Sequence, residues 1–301
     1  MRLSIGDNDF LDSFEHLWEK DIDENGTSKL NLFILNINAN SFDYSCLVRN
    51  LRDPMIDYSV SRKIKEMYKQ RPGTLAHEAQ KKFKEYINNT GELGELLLYC
   101  FLETHLNAPK ILSKLELKTS TSMYVHGADG IHMLKLKNGN YQLLFGESKT
   151  IADLTNAFRD AFTSIHDFKN EINKEGQEKS GINYEKSLVY ANLDKEAFSE
   201  EEKEFLKKII YPSRERDFEV DDAFGIFVGY EIELTEHDKK LPNSEFRAKV
   251  KEKVSEDVIN RISYINRKID EFKLYGHSFY IYVIPFTELD NNRKSIIKEI
   301  T

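Results

Sequence analysis

The sequence predicts one α/β domain, residues 1–301, built on a mixed central sheet with helices on its faces. Three observations point there. Alternating apolar runs and amphipathic runs succeed one another along the chain, a strong hairpin signal sits near its middle, and no repeat, low-complexity linker or clear boundary divides it. The 301 residues, 40% hydrophobic and 12% aromatic, are enough for one large domain or two small ones with a real core.

Taken in order, residues 9–20 read as a short helix with Phe10, Leu11, Phe14, Leu17 and Trp18 on one side. Asp21 to Ser28 is a polar turn, and Leu30 to Ile37 (LNLFILNI) a strand. Residues 59–71 form a basic helix ended by Pro72-Gly73. Its Lys63, Lys65, Lys69 and Arg71 suit either a solvated face, the default for such a stretch, or one that touches phosphates.

Residues 90–103 (TGELGELLLYCFLE) form the next helix, with Thr90 as N-cap and acids in the first turn, where the helix dipole favours them. The rest is apolar nearly all round, as in a helix buried against a sheet. Glu92 and Glu95 are three apart and share a face. Gly94 costs such a helix about 0.5–1 kcal/mol relative to alanine, and close approach to another element accounts for it.

Residues 114–125 alternate as a strand, with Leu115 and Leu117 on one face and Lys118 on the other. Then comes the most informative stretch, Tyr124 to Thr150 (YVHGADGIHMLKLKNGNYQLLFGESKT). Asn138-Gly139 between two apolar runs is the strongest short hairpin signal a sequence offers. Glu147 and Lys149 stand two apart at the end of the second strand and so point to the same face. Hairpin pairing folds Asp129, set between Gly127 and Gly130, back toward Glu147. Two carboxylates and an ammonium in a small space can hold a divalent metal and activate water. The acid-x-Lys pattern alone carries little, because it recurs at Glu116/Lys118, Asp167/Lys169, Glu201/Lys203, Asp238/Lys240 and Glu271/Lys273. Context separates Glu147/Lys149: an apolar strand in front and an upstream acid in a glycine turn. The competing account is a surface ion pair with a turn-capping aspartate, and spacing alone does not choose between them.

Beyond the hairpin, Ile151 to Ile172 is an amphipathic helix with Leu154, Phe158, Phe162, Ile165 and Phe168 inward. Residues 173–186 read as a loop, Ser187 to Leu193 as a strand, residues 199–210 as a helix, and 213–222 as a charged surface connection. Ala223 to Leu234 is a strand. Residues 244–274 make one long helix with Val250, Val254, Val258, Ile262, Ile265 and Ile269 buried, and Ser278 to Pro285 is the last strand.

Composition excludes several classes. No run of about eighteen apolar residues exists, so no membrane span is expected. The first twenty residues are acidic and amphipathic, unlike a secretion signal. Cys46 and Cys100 lie in apolar surroundings and form no metal cluster, which fits a reducing cytoplasm. His77, His105, His126 and His132 fall in no zinc array; His126 and His132 flank Asp129 and either line its site or, by default, sit in turns or at the surface. Phosphate-loop, dinucleotide and nucleophile-elbow motifs are absent. A net charge of −8 argues against a free-standing, tight nucleic-acid binder, but not against a local basic groove or a partner that supplies the grip.

A helix carrying Glu, a strand with Asp, a hairpin, and a strand ending Glu-x-Lys resembles the PD-(D/E)xK nuclease superfamily. More narrowly, GELGELLLY, HGADGIH and LLFGESKT, followed by the helix from Ile151, are similar to HamA, the nuclease subunits of the Hachiman anti-phage defence system. The likeness is sharp over residues 90–170. The proline that often precedes the family's Asp is replaced by Ala128. The resemblance implies a restriction-endonuclease-like core at about 90–195, with N- and C-terminal elaborations. It implies that Asp129 and Glu147 ligate Mg²⁺, for which Mn²⁺ can substitute, and that Lys149 orients or deprotonates the attacking water. Glu95 matches an extra acid beside the metal, with Glu92 as the alternative, and Gln142 and Lys118 are supporting or DNA-facing groups. It also implies a helicase partner, HamB-like, that loads DNA and controls cutting. A catalytically inert nuclease-fold subunit that binds nucleic acid or bridges proteins is the alternative function, and an interaction protein with no nucleic-acid role a third.

Overall fold

A computed structural model of the chain describes residues 1–6, 9–84, 91–113, 115, 127–172, 181–196, 199–211 and 216–301. Its centre is a seven-stranded sheet made from β1 (Phe14–Asp21), β2 (Lys29–Leu35), β5 (Lys110–Ser113), β6 (Gly130–Lys135), β7 (Tyr141–Thr150), β8 (Val220–Glu231) and β9 (Phe279–Phe286). A separate two-stranded piece holds β3 (Ile37–Asn38) and β4 (Ser41–Phe42). The order across the large sheet is β1-β2-β9-β8-β7-β6-β5. The run from β2 to β7 is parallel, and the outer pairs, β1 with β2 and β7 with β6 and β5, are antiparallel. This is the mixed sheet the sequence predicts.

The helices are α1 (Tyr44–Ser59), α2 (Arg62–Met67), α3 (Pro72–Lys84), α4 (Glu92–Thr104), α5 (Leu154–Lys169), α6 (Ile182–Glu196), α7 (Glu200–Ile210), α8 (Glu236–Lys239), α9 (Asn243–Ile259), α10 (Ile262–Glu271) and α11 (Leu289–Ile300). One face of the sheet is covered by α4. A Cβ at Gly146 of β7 would sit 3.1 Å from Leu98, and one at Gly225 of β8 would sit 3.0 Å from Leu102, so the two strands present bare backbone to the helix. On the opposite face lies α5, with Phe168 against Phe145 at 5.3 Å and Phe162 against Phe279 at 5.6 Å between ring centroids. Among the described residues no helix is long and apolar enough to cross a membrane.

Four expectations are corrected. Residues 9–20 are a 3₁₀ turn, Phe10–Ser13, followed by β1, and not a helix. A register shift between His16 and Trp18 breaks the two-residue alternation and leaves Leu17 and Trp18 both half-buried, which counterfeits helical spacing. Ser187 to Leu193 is part of helix α6, not a strand: Glu185, Val189 and Leu193 are buried at four-residue steps. The long helix at 244–274 is two, α9 and α10, broken at Asn260 and Arg261. Steps of four residues drift by about 40° around a helix, so a stripe of Val250, Val254 and Val258 leaves the core unless the helix restarts. Residues 59–71 are not one basic helix but the end of α1 and the short α2, which stops at Met67, and Pro72-Gly73 opens α3, since proline suits the first position of a helix. The strand expected at 114–125 lies outside the described residues except for Leu115, which is buried.

Candidate active site

Helix α4 brings its acids to the sheet by a very close approach. A Cβ at Gly94 would lie 2.7 Å from Thr150 Oγ1 and 3.4 Å from Cβ and Oγ of Ser148. The glycine that looked costly in the sequence is therefore a contact point, and what it touches is the end of β7. The expected N-cap, Thr90, lies outside the described residues; Gly91 holds the N-cap position.

The β6–β7 hairpin forms in the register Ile131↔Phe145 through Lys135↔Tyr141, with Gly139 in the left-handed region its turn demands. Asp129 just precedes β6 and donates its N–H to Gly146 O at 2.8 Å. Its carboxylate is nearly buried, and Oδ2 accepts from both N (2.7 Å) and Oγ (2.8 Å) of Ser148. Backbone N–H groups lie in the plane of a sheet, so Asp129 meets β7 at its edge, at the residue between Glu147 and Lys149. Lys149 Nζ lies 2.5 Å from Glu147 Oε1, with the side chains 26% and 14% exposed. By alternation Glu147 and Lys149 share the face of Phe145, toward α5, whereas Ser148 shares that of Gly146, toward α4.

Under α4 a cavity with room for about one water is lined by Tyr58, Glu95, Tyr99, Lys110, Asp129 and His132, among others. Tyr58 donates to Glu95 Oε2 at 2.9 Å. Burial, and then the carboxylates of Glu95, Asp129 and Glu92, push the Tyr58 phenol well above its ordinary pKa, so it remains a donor. His132 Nδ1 lies 2.8 Å from Ala108 O, the geometry of an N–H donor, and burial pushes the ring down to about 4, so it is neutral near pH 7. Lys110 is wholly buried, and Nζ donates to Asp57 O at 2.9 Å and stands 5.7 Å from the centroid of the Tyr99 ring.

The residues singled out in the sequence thus fall into two sets around one strand end. Asp129 and Glu95 line the cavity, with Glu92 buried nearby, and Glu147 and Lys149 form the ion pair. Neither turn nor surface describes His132: it is buried in β6 and lines the cavity with Asp129. Gln142 is not a DNA-facing group. It is buried, donates to Ser278 Oγ at 2.9 Å and accepts from Tyr280 OH at 2.7 Å, tying β7 across the sheet to β9. Lys118 and His126 lie outside the described residues. Among the described residues no group of three or more His, Cys, Asp or Glu side chains is gathered to hold a metal ion. Two residues that hold the candidate acids carry no site signal in the sequence. Ser148 is the variable position of Glu-x-Lys, and Tyr58 lies on α1, where the spacing of Leu47, Val48, Leu51, Met55 and Tyr58 marks a buried helix face.

No curated protein matches the chain by sequence. A family model does: that of HamA matches residues 8–300, nearly the whole length. The chain belongs to the HamA family.

Proposed function

We propose that this protein is the metal-dependent DNA nuclease subunit of a Hachiman-type anti-phage defence complex, acting with and controlled by a helicase partner. The observation that carries the reading is the junction of Asp129 with Ser148, which puts a held carboxylate against the residue between Glu147 and Lys149. Membership of the HamA family over residues 8–300 supports it, together with the resemblance of this chain's own Glu95, Asp129 and Glu147-Ser148-Lys149 to the PD-(D/E)xK pattern.

Mg²⁺ is a hard cation that uses one or two protein carboxylates and fills the rest of its shell with water and phosphate oxygen. Asp129 and Glu147 are the hard oxygen donors that would meet that demand at the end of β7, Asp129 reaching it from the α4 side and Glu147 from the α5 side, with Glu95 across the cavity from Asp129. Such a cation, when bound, acidifies its water and neutralises charge on the phosphorus. The chain's own groups do the rest. Lys149 is held at the strand end by Glu147, where its ammonium orients the attacking water and stabilises charge developing on the phosphoryl oxygens. Tyr58 keeps Glu95 from turning away. The acidic balance of −8 suits a subunit that relies on a helicase to bring DNA.

The test is cleavage of plasmid and linear DNA with Mg²⁺, alone and with the helicase subunit, together with phage protection in cells. Glu147→Ala or Lys149→Ala is expected to abolish both cleavage and protection while folding and partner binding persist. Protection that survives both changes would sink the catalytic assignment. It would favour the second reading, a catalytically inert nuclease-fold subunit, which the lack of a three-acid group among the described residues supports.

A further inference from the structure

The position between Glu147 and Lys149 carries no role in the chemistry just described, yet it is the residue that Asp129 touches. Both donors of Ser148, N and Oγ, converge on the same oxygen, Oδ2, at 2.7 and 2.8 Å. A backbone N–H alone leaves a carboxylate free to rock about one bond. Two donors at an angle to each other fix which oxygen faces the strand and how the carboxylate plane is turned. Ser148 is itself buried and held from behind, because Gly94 lets α4 settle to 3.4 Å from Ser148 Cβ and Oγ, measured from where a Cβ at residue 94 would stand. Next to it, Thr150 Oγ1 lies 2.7 Å from the same point. A side chain at 94 would force Thr150 to turn its side chain or the end of β7 to shift.

We propose that Ser148 is a positioning residue that sets the Asp129 carboxylate for its ligand, and that Gly94 acts through Ser148 by seating the strand end against α4. This rests on the reading of Asp129 as a ligand of a divalent cation. Carboxylates that ligate metals are themselves hydrogen-bonded, and removing such a partner costs about 10–100-fold in affinity. The hydroxyl is also the part of Ser148 that substitution can remove while the backbone bond stays.

The experiment is titration of the full chain with Mn²⁺, followed by calorimetry, on wild type, Asp129→Ala, Ser148→Ala, Ser148→Thr and Gly94→Ala, with the melting temperature of each metal-free protein beside it. The proposal expects Asp129→Ala to abolish binding and Ser148→Ala to weaken it about tenfold or more. Ser148→Ala should melt without metal close to wild type, and Ser148→Thr, which keeps the hydroxyl, should bind nearly as wild type does. Gly94→Ala should weaken Mn²⁺ binding in the same direction although residue 94 touches no ligand. Wild-type affinity in Ser148→Ala overturns the positioning role while leaving Asp129 a ligand. Weakened binding in Ser148→Ala that tracks a lost melting temperature, with no recovery in Ser148→Thr, overturns it in favour of a merely structural role. A wild-type protein that binds no Mn²⁺ overturns the metal-nuclease reading itself, and the proposal with it.

Discussion

Asp129 and Asp238 are held in nearly the same way and sit in different company. Both are almost buried, 8% and 6% exposed. Each takes a backbone N–H and a hydroxyl from one residue on a single oxygen: Asp129 from Ser148 at 2.7 and 2.8 Å, Asp238 from Thr235 at 2.9 and 2.8 Å. Thr235, however, is three residues away, and the pair is the capping box of α8, with Lys249 on the other oxygen of Asp238. Lys249 and Thr235 together hold the Asp238 carboxyl well below the usual carboxylate range. Ser148 is nineteen residues from Asp129 and on another strand, between a glutamate and a lysine that pair with each other. Glu95 and its tyrosine line the same cavity. Hydrogen bonds show that a carboxylate is held; its neighbours decide for what purpose.

The contrast breaks first on activity. Asp129→Ala is expected to abolish Mg²⁺-dependent cleavage, because it removes a ligand of the cation on which the cleavage depends. Asp238→Ala should cut DNA at the wild-type rate. Equal losses in the two variants would mean that the shared hydrogen-bond pattern, and not the company of Asp129, explains its effect.

Acid sharpens the comparison next, because the two regions titrate in different windows. An unfolded His132 takes up a proton near 6.5, whereas the folded ring resists it down to about 4. Between those values the unfolded state binds more protons, so stability falls as pH drops, by about 3 kcal/mol across the window. Asp238 acts in the same direction but in a lower window: its contribution is present above the ordinary carboxylate value near 3.8 and is lost as pH falls below it. Melting curves at pH 7, 5 and 3 should therefore lose their first acid step in His132→Gln and shrink their second in Asp238→Asn. A first step unchanged in His132→Gln removes the histidine from the account.

The smallest effect is steric. Gly94→Ala is expected to cost about 1–3 kcal/mol in chemical denaturation from overpacking against Thr150 and Ser148, although alanine is the better helix former. A stabilised Gly94→Ala would show that α4 can lift off β7 freely, and that the junction at Asp129 is looser than Asp238's cap.

Much of the site was legible because its signals are local. Asn138-Gly139 marks the hairpin, alternation fixes Glu147 and Lys149 to one face, and the cost of Gly94 in a helix points to a close neighbour. The sequence could not say that the neighbour is Ser148 and Thr150, since that contact joins residues more than fifty positions apart. Nor could spacing reveal that Asp129 reaches the edge of β7 from the α4 side, because hairpin pairing alone places it only near Glu147. The misread elements share a cause. In β1 a register shift breaks the strand's period, and in α6 the short run SLVYANL hides a helix whose buried positions are set by packing. Gln142, which the resemblance implies to be a supporting or DNA-facing group, gives no local sign of its partners, Ser278 and Tyr280, because they are far along the chain.

The place of β9 also governs when the molecule can become complete during synthesis. β9 lies between β2 and β8, yet residues 279–286 are translated after every other strand of the sheet. Until they emerge, the β1–β2 hairpin has no strand to join, and β8 offers an open edge to water. The wait extends to α4, because Phe101 stacks on Tyr282 at 4.8 Å, and the helix bearing Glu95 gains that seat only when β9 docks. Assembly of such long-range parallel pairs is slow. A nascent chain therefore closes the sheet beneath α4 only once β9 has been made, and until then the strand order is held open at its centre.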